Sequence, residues 1–320
     1  MGQDMNRHSL FISNFRENIL FMLKVLLFIL IAIAYFAYIM PQYAGAYTAS
    51  LEDKVERLKS IDEAKIVLLG NSNLAFGINS EMIEEELEMP VVNMGFHGSA
   101  GNVFHERMSR YNVTEGDIYI ICHTDFADDD TISDAALCWS ALENHIELWK
   151  ILRTSDFYRM LKAFPVYLKK CLSLYIEDSG NIDPGIVYGR GAFNKYGDVC
   201  LQREGGNYTF EKRVEPPKIN AITINRINEL KKWMDERGAT LLVASYPIGK
   251  GELTADEKEF VNFQRNLEQK LDCEVISQYT DYMYEYKYFY DSEYHLSSKG
   301  ADMRTAQLIE DIKNWRKWEY

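Results

Sequence analysis

Lys65-Ile66-Val67-Leu68-Leu69-Gly70-Asn71-Ser72 is a short apolar run that stops at a glycine and passes into polar residues. Such a run reads as a strand buried on both faces, with a tight turn at its end. The chain beyond it repeats the theme. Ser80 to Leu87 reads as a helix, with Ser80 as N-cap and Glu81, Glu84 and Glu85 near the favourable end of its dipole. Pro90 to Asn93 is a second short strand, and a helix is expected from about Asn102 to Tyr111. Asp117 to His123 is a third strand and Ala239 to Ser245 a fourth, the latter preceded by a helical pattern from Ile222 to Glu236 that Gly238 ends. A helix from Ala255 to Leu271, a short fifth strand from Glu274 to Ser277 and a last helix from about Ser298 to Trp315 complete the pattern. Strands alternating with helices imply an α/β fold around a parallel, doubly wound sheet. Ligands bind such sheets at the carboxyl ends of the strands, where Ser72, Gly98, Thr124 and Pro247 all fall.

Residues 126–216 interrupt the alternation. They are helix-rich from Ala135 to Leu161, then irregular and rich in Gly and Tyr from Tyr188 to Tyr208. They read as an insertion into one domain, either a lid over the site or a packing subdomain.

Ile19 to Met40 is apolar except for Lys24. Its length suits one helix across a bilayer, which needs roughly 20 residues. Lys24 can snorkel at one end, and Tyr35, Tyr38 and Tyr43 suit the opposite interface. A cleaved signal peptide is the competing reading, with Ala44-Gly45-Ala46 as its small-residue site. The expected division is a polar tail (1–18), a transmembrane helix (19–40), a linker with an amphipathic helix (41–63) and one domain (64–320). Arg7, Arg16 and Lys24 precede or open the span, which favours the N-terminus inside and the domain outside the cytoplasm.

The 320 residues are 47% hydrophobic with a net charge of -13, which argues against a general nucleic-acid binder and against broad attraction to anionic lipid. Five scattered cysteines make neither a CxxC pair nor a disulfide framework, so buried thiols are expected. His97, His105, His123 and His145 lack a compact ligand spacing, and neither metal nor cofactor is expected. The acidic run Asp125, Asp128, Asp129 and Asp130 reads as a solvated loop, and the aromatic stretch from Tyr279 to Tyr290 as packing.

Three segments carry chemistry. Ser72 follows a strand and a glycine, so its hydroxyl can project from the strand end, and its N–H can face a developing oxyanion. Asn93-Met94-Gly95-Phe96-His97-Gly98 supplies further backbone donors, and His97 lies beside them. His295 lies before the last helix with Asp291 and Glu293 close by. A histidine can take the proton of a serine while a carboxylate holds the imidazole in the needed tautomer. Taken singly, each also reads as a turn or capping residue.

The order of these segments resembles the SGNH (GDSL-type) hydrolase superfamily. Gly70-Asn71-Ser72 is similar to its first block, with Asn71 where aspartate is usual. Val91 to Gly98 resembles the second block, whose last glycine lends an oxyanion N–H; that role falls on Gly98 rather than Gly95. His123-Thr124-Asp125-Phe126 stands at the third block, with Thr124 in the place of an asparagine. Asp291 to His295 resembles the fifth, making His295 the base and Asp291 its orienting acid, with Glu293 as the alternative. The resemblance covers about residues 64–125 and 240–315. It implies a flavodoxin-like three-layer sandwich with a central parallel sheet and an oxyanion hole built from Ser72, Gly98 and Thr124. Behind an N-terminal anchor, it is similar to membrane-anchored teichoic-acid D-alanyl-transfer and alginate O-acetylation proteins. That implies O-acyl transfer to, or ester hydrolysis on, a cell-surface polysaccharide or teichoic-acid-like polymer, beside a multispanning membrane O-acyltransferase. The alternative is a non-catalytic binding or scaffold partner of such an acyltransferase.

Overall fold

The computed structural model describes residues 15–143, 145, 147–177 and 185–318. Residues 1–14 of the expected polar tail, Arg7 among them, lie outside the described residues. The fold is mixed α/β. Four strands, β1 (Ile66–Leu69), β2 (Val91–Asn93), β3 (Ile118–Ile121) and β4 (Thr240–Val243), pair in parallel in the order β2-β1-β3-β4. Two short strands outside that sheet, β5 (Ile248–Lys250) and β6 (Met283–Glu285), pair with each other in parallel. Ten helices accompany them among the described residues: α1 (Phe15–Ile39), α2 (Ser50–Ser60), α3 (Ser72–Gly77), α4 (Ser80–Leu87), α5 (Asn102–Met108), α6 (Ala135–Leu142), α7 (Thr154–Glu177), α8 (Ala221–Asp235), α9 (Glu257–Glu268) and α10 (Ser298–Trp318).

The strands read as continuous apolar runs because both of their faces are covered. Val67, Leu69, Val92, Tyr119, Ile121, Leu241 and Val243 join an apolar cluster completed by residues of α2, α5, α8 and α9. The alternate residues Ile66, Leu68, Val91, Ile118, Ile120 and Leu242 join a second cluster with Leu74, Ile83, Leu308 and Ile312. Burying one such side chain contributes about 1.5–3 kcal/mol, so these clusters supply the main drive to fold.

Several local expectations change. Asn79, not Ser80, caps α4: its side chain accepts from the Met82 N–H, while Ser80 gives both its N–H and its hydroxyl to the Asp198 carboxylate. The fifth strand shrinks to a single parallel bridge between Val275 and Val243. The helix-rich stretch expected from Ala135 to Leu161 consists of α6, a 3-10 turn at Leu148–Ile151 and the start of α7, which runs on past Leu161 to Glu177. The acidic run is not simply solvated. Asp128 is clamped by Arg226 at 2.8 Å and Asp130 by Arg153 at 2.6 Å. All five cysteines are free, but Cys200 is exposed. The aromatic stretch does pack, with Tyr279 and Tyr282 buried and Tyr286 stacked on Phe210 at 4.0 Å.

The ends of the segment 126–216 lie side by side, since Phe126 bridges Ile219 and the Asn220 N–H donates to the Phe126 carbonyl. Its two halves do different things. α6 and α7 pack on the end of α1 through Ile39, Ala136, Tyr167 and Cys171. Residues 185–200 instead wrap the strand ends, where Asp198 also takes the Asn93 amide and Gly197 accepts from the buried Lys54 ammonium. Burial lowers the pKa of Lys54 to about 7. α1 is one helix long and apolar enough to cross a membrane, and none of its most apolar stretch is covered by the rest of the chain.

Candidate active site

β1 ends at Leu69, and the chain turns through Gly70 and Asn71 into α3, whose first residue is Ser72. Asn71 caps that helix: its side-chain oxygen accepts from the Asn73 N–H at 2.9 Å. The capping turn therefore fixes the place where the serine leaves the strand. The loop after β2 is drawn to the same end by hydrogen bonds from Met94 N–H to the Leu68 carbonyl (3.0 Å) and from Phe96 N–H to the Gly70 carbonyl (3.1 Å).

Ser72 and His295 are 223 positions apart, yet Ser72 Oγ lies 2.8 Å from His295 Nε2. On the other side of the ring, Nδ1 lies 2.8 Å from Asp291 Oδ1. With its hydrogen on Nδ1 and directed at the carboxylate, the ring leaves Nε2 free to accept from the serine hydroxyl. The imidazole stacks on Phe76 at 4.0 Å and 7°, which fixes its plane. Asp291 is thus the acid that meets the histidine. Glu293 is exposed, and the position between them, Ser292, closes the turn by accepting from the His295 N–H at 3.1 Å. Burial pushes the Asp291 carboxyl up, but hydrogen bonds from His295 and Tyr188 outweigh it and hold the pKa below the usual value.

Tyr188 was not foreseen. It comes from the interrupting segment, donates its hydroxyl to Asp291 Oδ2 at 2.6 Å and sits 3.2 Å from His295 Nδ1. Its burial and the adjacent Asp291 raise its pKa, so it stays a donor. Tyr47 was also missed. It lies buried between Phe76, Phe193 and the His97 ring, just after α1. The only hint was the Gly- and Tyr-rich composition around Tyr188, which says nothing of a partner 103 positions away.

The donor side gathers around Asn71. Its amide donates to Thr124 Oγ1 at 2.8 Å, so the Thr124 hydroxyl hydrogen is left for another acceptor. Gly98 opens a short 3-10 turn beside it; a Cβ added at Gly98 would lie 3.6 Å from Asn71 Cβ, an ordinary contact. Gly95 serves a different purpose. A Cβ there would come within 2.7 Å of the Ala75 nitrogen and 2.8 Å of Asn93 Oδ1, so only glycine lets the loop lie against α3. Gly95→Ala is therefore expected to lower stability by about 1–3 kcal/mol through overpacking, whereas Gly98→Ala leaves it unchanged. Urea unfolding of both variants checks this, and equal midpoints would refute it.

His97 lies beside the site, and its burial lowers its pKa, with Asp134 opposing the shift and His295 adding to it. Its carbonyl is held by His105 Nε2 at 3.3 Å. His105 is fully buried, and burial with His123 beside it lowers its pKa from 6.5 to about 3. The unfolded chain therefore binds more protons in that window. Stability from this site is present above pH 6.5 and is lost as pH falls towards 3, by up to about 1.4 kcal/mol per pH unit. His105→Gln is expected to flatten the fall of the urea midpoint between those limits, and an unchanged slope would count against the assignment. Behind His105, the His123 Nε2 lies 3.1 Å from Glu106, which Arg226 also holds at 2.7 Å. Among the described residues, no group of three or more His, Cys, Asp or Glu is disposed to hold a metal ion.

No protein-family model, no curated protein and no solved structure matches this chain.

Proposed function

We propose that this chain is a membrane-anchored serine esterase or O-acyltransferase of SGNH type. In this reading it acts outside the cytoplasm on a cell-surface glycopolymer. The observation that carries it is the hydrogen-bonded chain Ser72–His295–Asp291, with both contacts at 2.8 Å. The order of the segments along the sequence and their meeting at the carboxyl ends of parallel strands add support. The sheet order β2-β1-β3-β4, a bridge at Val275 beyond β4 and apolar clusters on both faces are what a flavodoxin-like three-layer sandwich requires.

The reaction has two halves. Ser72 Oγ attacks the acyl carbonyl as His295 Nε2 takes its proton. The backbone N–H groups of Ser72 and Gly98 and the Thr124 hydroxyl stabilise the oxyanion, each donor lowering the barrier by about 3 kcal/mol. The tetrahedral species collapses, the bond to the donor's leaving oxygen breaks, and His295 returns the proton to that oxygen. An acceptor hydroxyl from the polymer, or water, then gives its proton to His295 and attacks the Ser72 ester. Collapse frees the acylated product and restores the serine hydroxyl. Asp291 stays ionised throughout and offsets the charge on the imidazolium. α1 is the anchor, oriented by Arg16 and Lys24 at its start. The donor in this reading is a multispanning membrane acyltransferase and the acceptor a polysaccharide or teichoic-acid-like chain.

A serine-reactive fluorophosphonate is expected to label the wild-type chain, to fail with Ser72→Ala and to label His295→Ala much more slowly. Labelling that survives Ser72→Ala would remove Ser72 as the nucleophile. A folded wild-type chain that takes no label would favour the non-catalytic scaffold.

A further inference from the structure

α7 carries three distinct faces. Met160, Tyr167 and Cys171 are buried against the domain. About 100° of rotation per residue puts Phe157, Leu161, Phe164, Leu168, Leu172 and Tyr175 on one neighbouring stripe. Phe157, Leu161 and Tyr175 in that stripe are 42%, 50% and 44% exposed, a large apolar outlay for a water-facing surface. Lys162 and Lys169 flank the stripe, with Arg159 and Lys170 further round. The basic residues of α7 outnumber Asp156 and Glu177, although the whole chain has a net charge of -13.

The position of this helix is set by α1. Phe164 meets Phe36 edge-on at 5.7 Å, and Tyr175 meets Tyr38 at 5.5 Å. Phe36 and Tyr38 belong to the last turn of α1, which ends at Ile39. At a rise of about 1.5 Å per residue, both lie within about 5 Å of the end of the apolar helix. α7 is therefore held at the level where α1 would leave a bilayer.

We propose that α7 is an interfacial helix that lies on the same bilayer, its apolar stripe sunk among the headgroups and its lysines on anionic lipid. This rests on α1 crossing a bilayer. The features match what interfacial helices need: an apolar face, flanking lysines whose stems snorkel, and a fixed depth. The consequence reaches the candidate site. A domain on one tether can rotate about it, whereas a second contact removes that freedom. α7 packs on α6, and the residues leading into α6 are bonded to the loop after Gly98, Asp134 N–H to the Ser99 carbonyl and Ser133 N–H to the Ala100 carbonyl. Seating α7 thus fixes the loop beside Ser72 relative to the membrane surface.

The test uses the full chain in vesicles of phosphatidylcholine and phosphatidylglycerol, with a photo-crosslinking benzoylphenylalanine placed singly at three exposed positions. Leu27 in α1 reads insertion of the anchor, Leu161 reads α7, and Val261 on α9 is the control. Capture of lipid at Leu27 and Leu161, severalfold above Val261, is the expected result. Capture at Leu27 with Leu161 no higher than Val261 overturns the inference while leaving the anchor intact. No capture at Leu27 overturns the anchor reading, and this inference with it. Capture of a second copy of the chain at Leu161 in place of lipid makes the face a protein interface and overturns the assignment to lipid. Lys169→Glu with Lys170→Glu is expected to lower the Leu161 yield severalfold and leave Leu27 unchanged; an unchanged Leu161 yield overturns the role given to the lysines.

Discussion

Asp291→Asn is expected to lower turnover of an activated ester such as p-nitrophenyl acetate by about 10³- to 10⁴-fold, with little change in KM. Asp291 accepts from His295 Nδ1 at 2.8 Å and from the Tyr188 hydroxyl at 2.6 Å. An asparagine can turn its amide towards Nδ1 and drive the ring hydrogen to Nε2. That nitrogen could then no longer accept the Ser72 proton, although every atom stayed in place. Because the hydrogen bonds to Asp291 hold its pKa below the usual value, its charge persists at neutral and mildly acidic pH, so the wild-type chain does not pass through the same neutral state there. Glu293→Gln is the matched control, since Glu293 is exposed and Asp291 occupies the ring nitrogen; it should leave turnover within about twofold. A large loss with Glu293→Gln and none with Asp291→Asn would reverse the assignment of the acid.

The largest effect on stability is expected from Arg304→Met. Arg304 is fully buried, yet its partners are carbonyls: Asn73 at 2.8 Å and Ser245 at 3.2 Å. It ties α10 to the start of α3 and to the residues just after β4. Gly77 leaves the room it needs, because a Cβ there would lie 2.8 Å from the guanidinium. Methionine fills similar space but donates nothing. The loss is expected to be about 2–5 kcal/mol, since each buried carbonyl left without its donor costs about 1–3 kcal/mol. A lower urea midpoint at unchanged slope reads this out. An unchanged midpoint would mean that the two carbonyls find other donors. Ester turnover should fall with stability, because α3 carries Ser72.

The elements that were legible beforehand are those in which near neighbours decide the structure. β1 to β4 lie within the four apolar runs because a strand covered on both faces admits only apolar residues. The fifth run, Glu274 to Ser277, was too short to separate a strand from a bridge, and only Val275 pairs. Ser80 and Asn79 are both good caps, and the choice fell to Asn79 because Asp198, 118 positions away, claims the serine. Within the helix-rich stretch, no glycine or proline marks where α6 ends at Leu142.

The sequence by itself determined the parallel α/β arrangement, the apolar N-terminal helix and the three polar segments, two of them at strand ends. Each of these depends on periodicity or composition over a few residues. Only the tertiary structure decided that Asp291 rather than Glu293 faces His295, that Gly98 flanks Asn71 while Gly95 packs on α3, and that Tyr188 completes the hydrogen-bonded chain. It also brought Phe164 and Tyr175 of α7 against the end of α1. These are directional contacts between distant residues. Their geometry is set by how whole elements pack, and no local pattern records it.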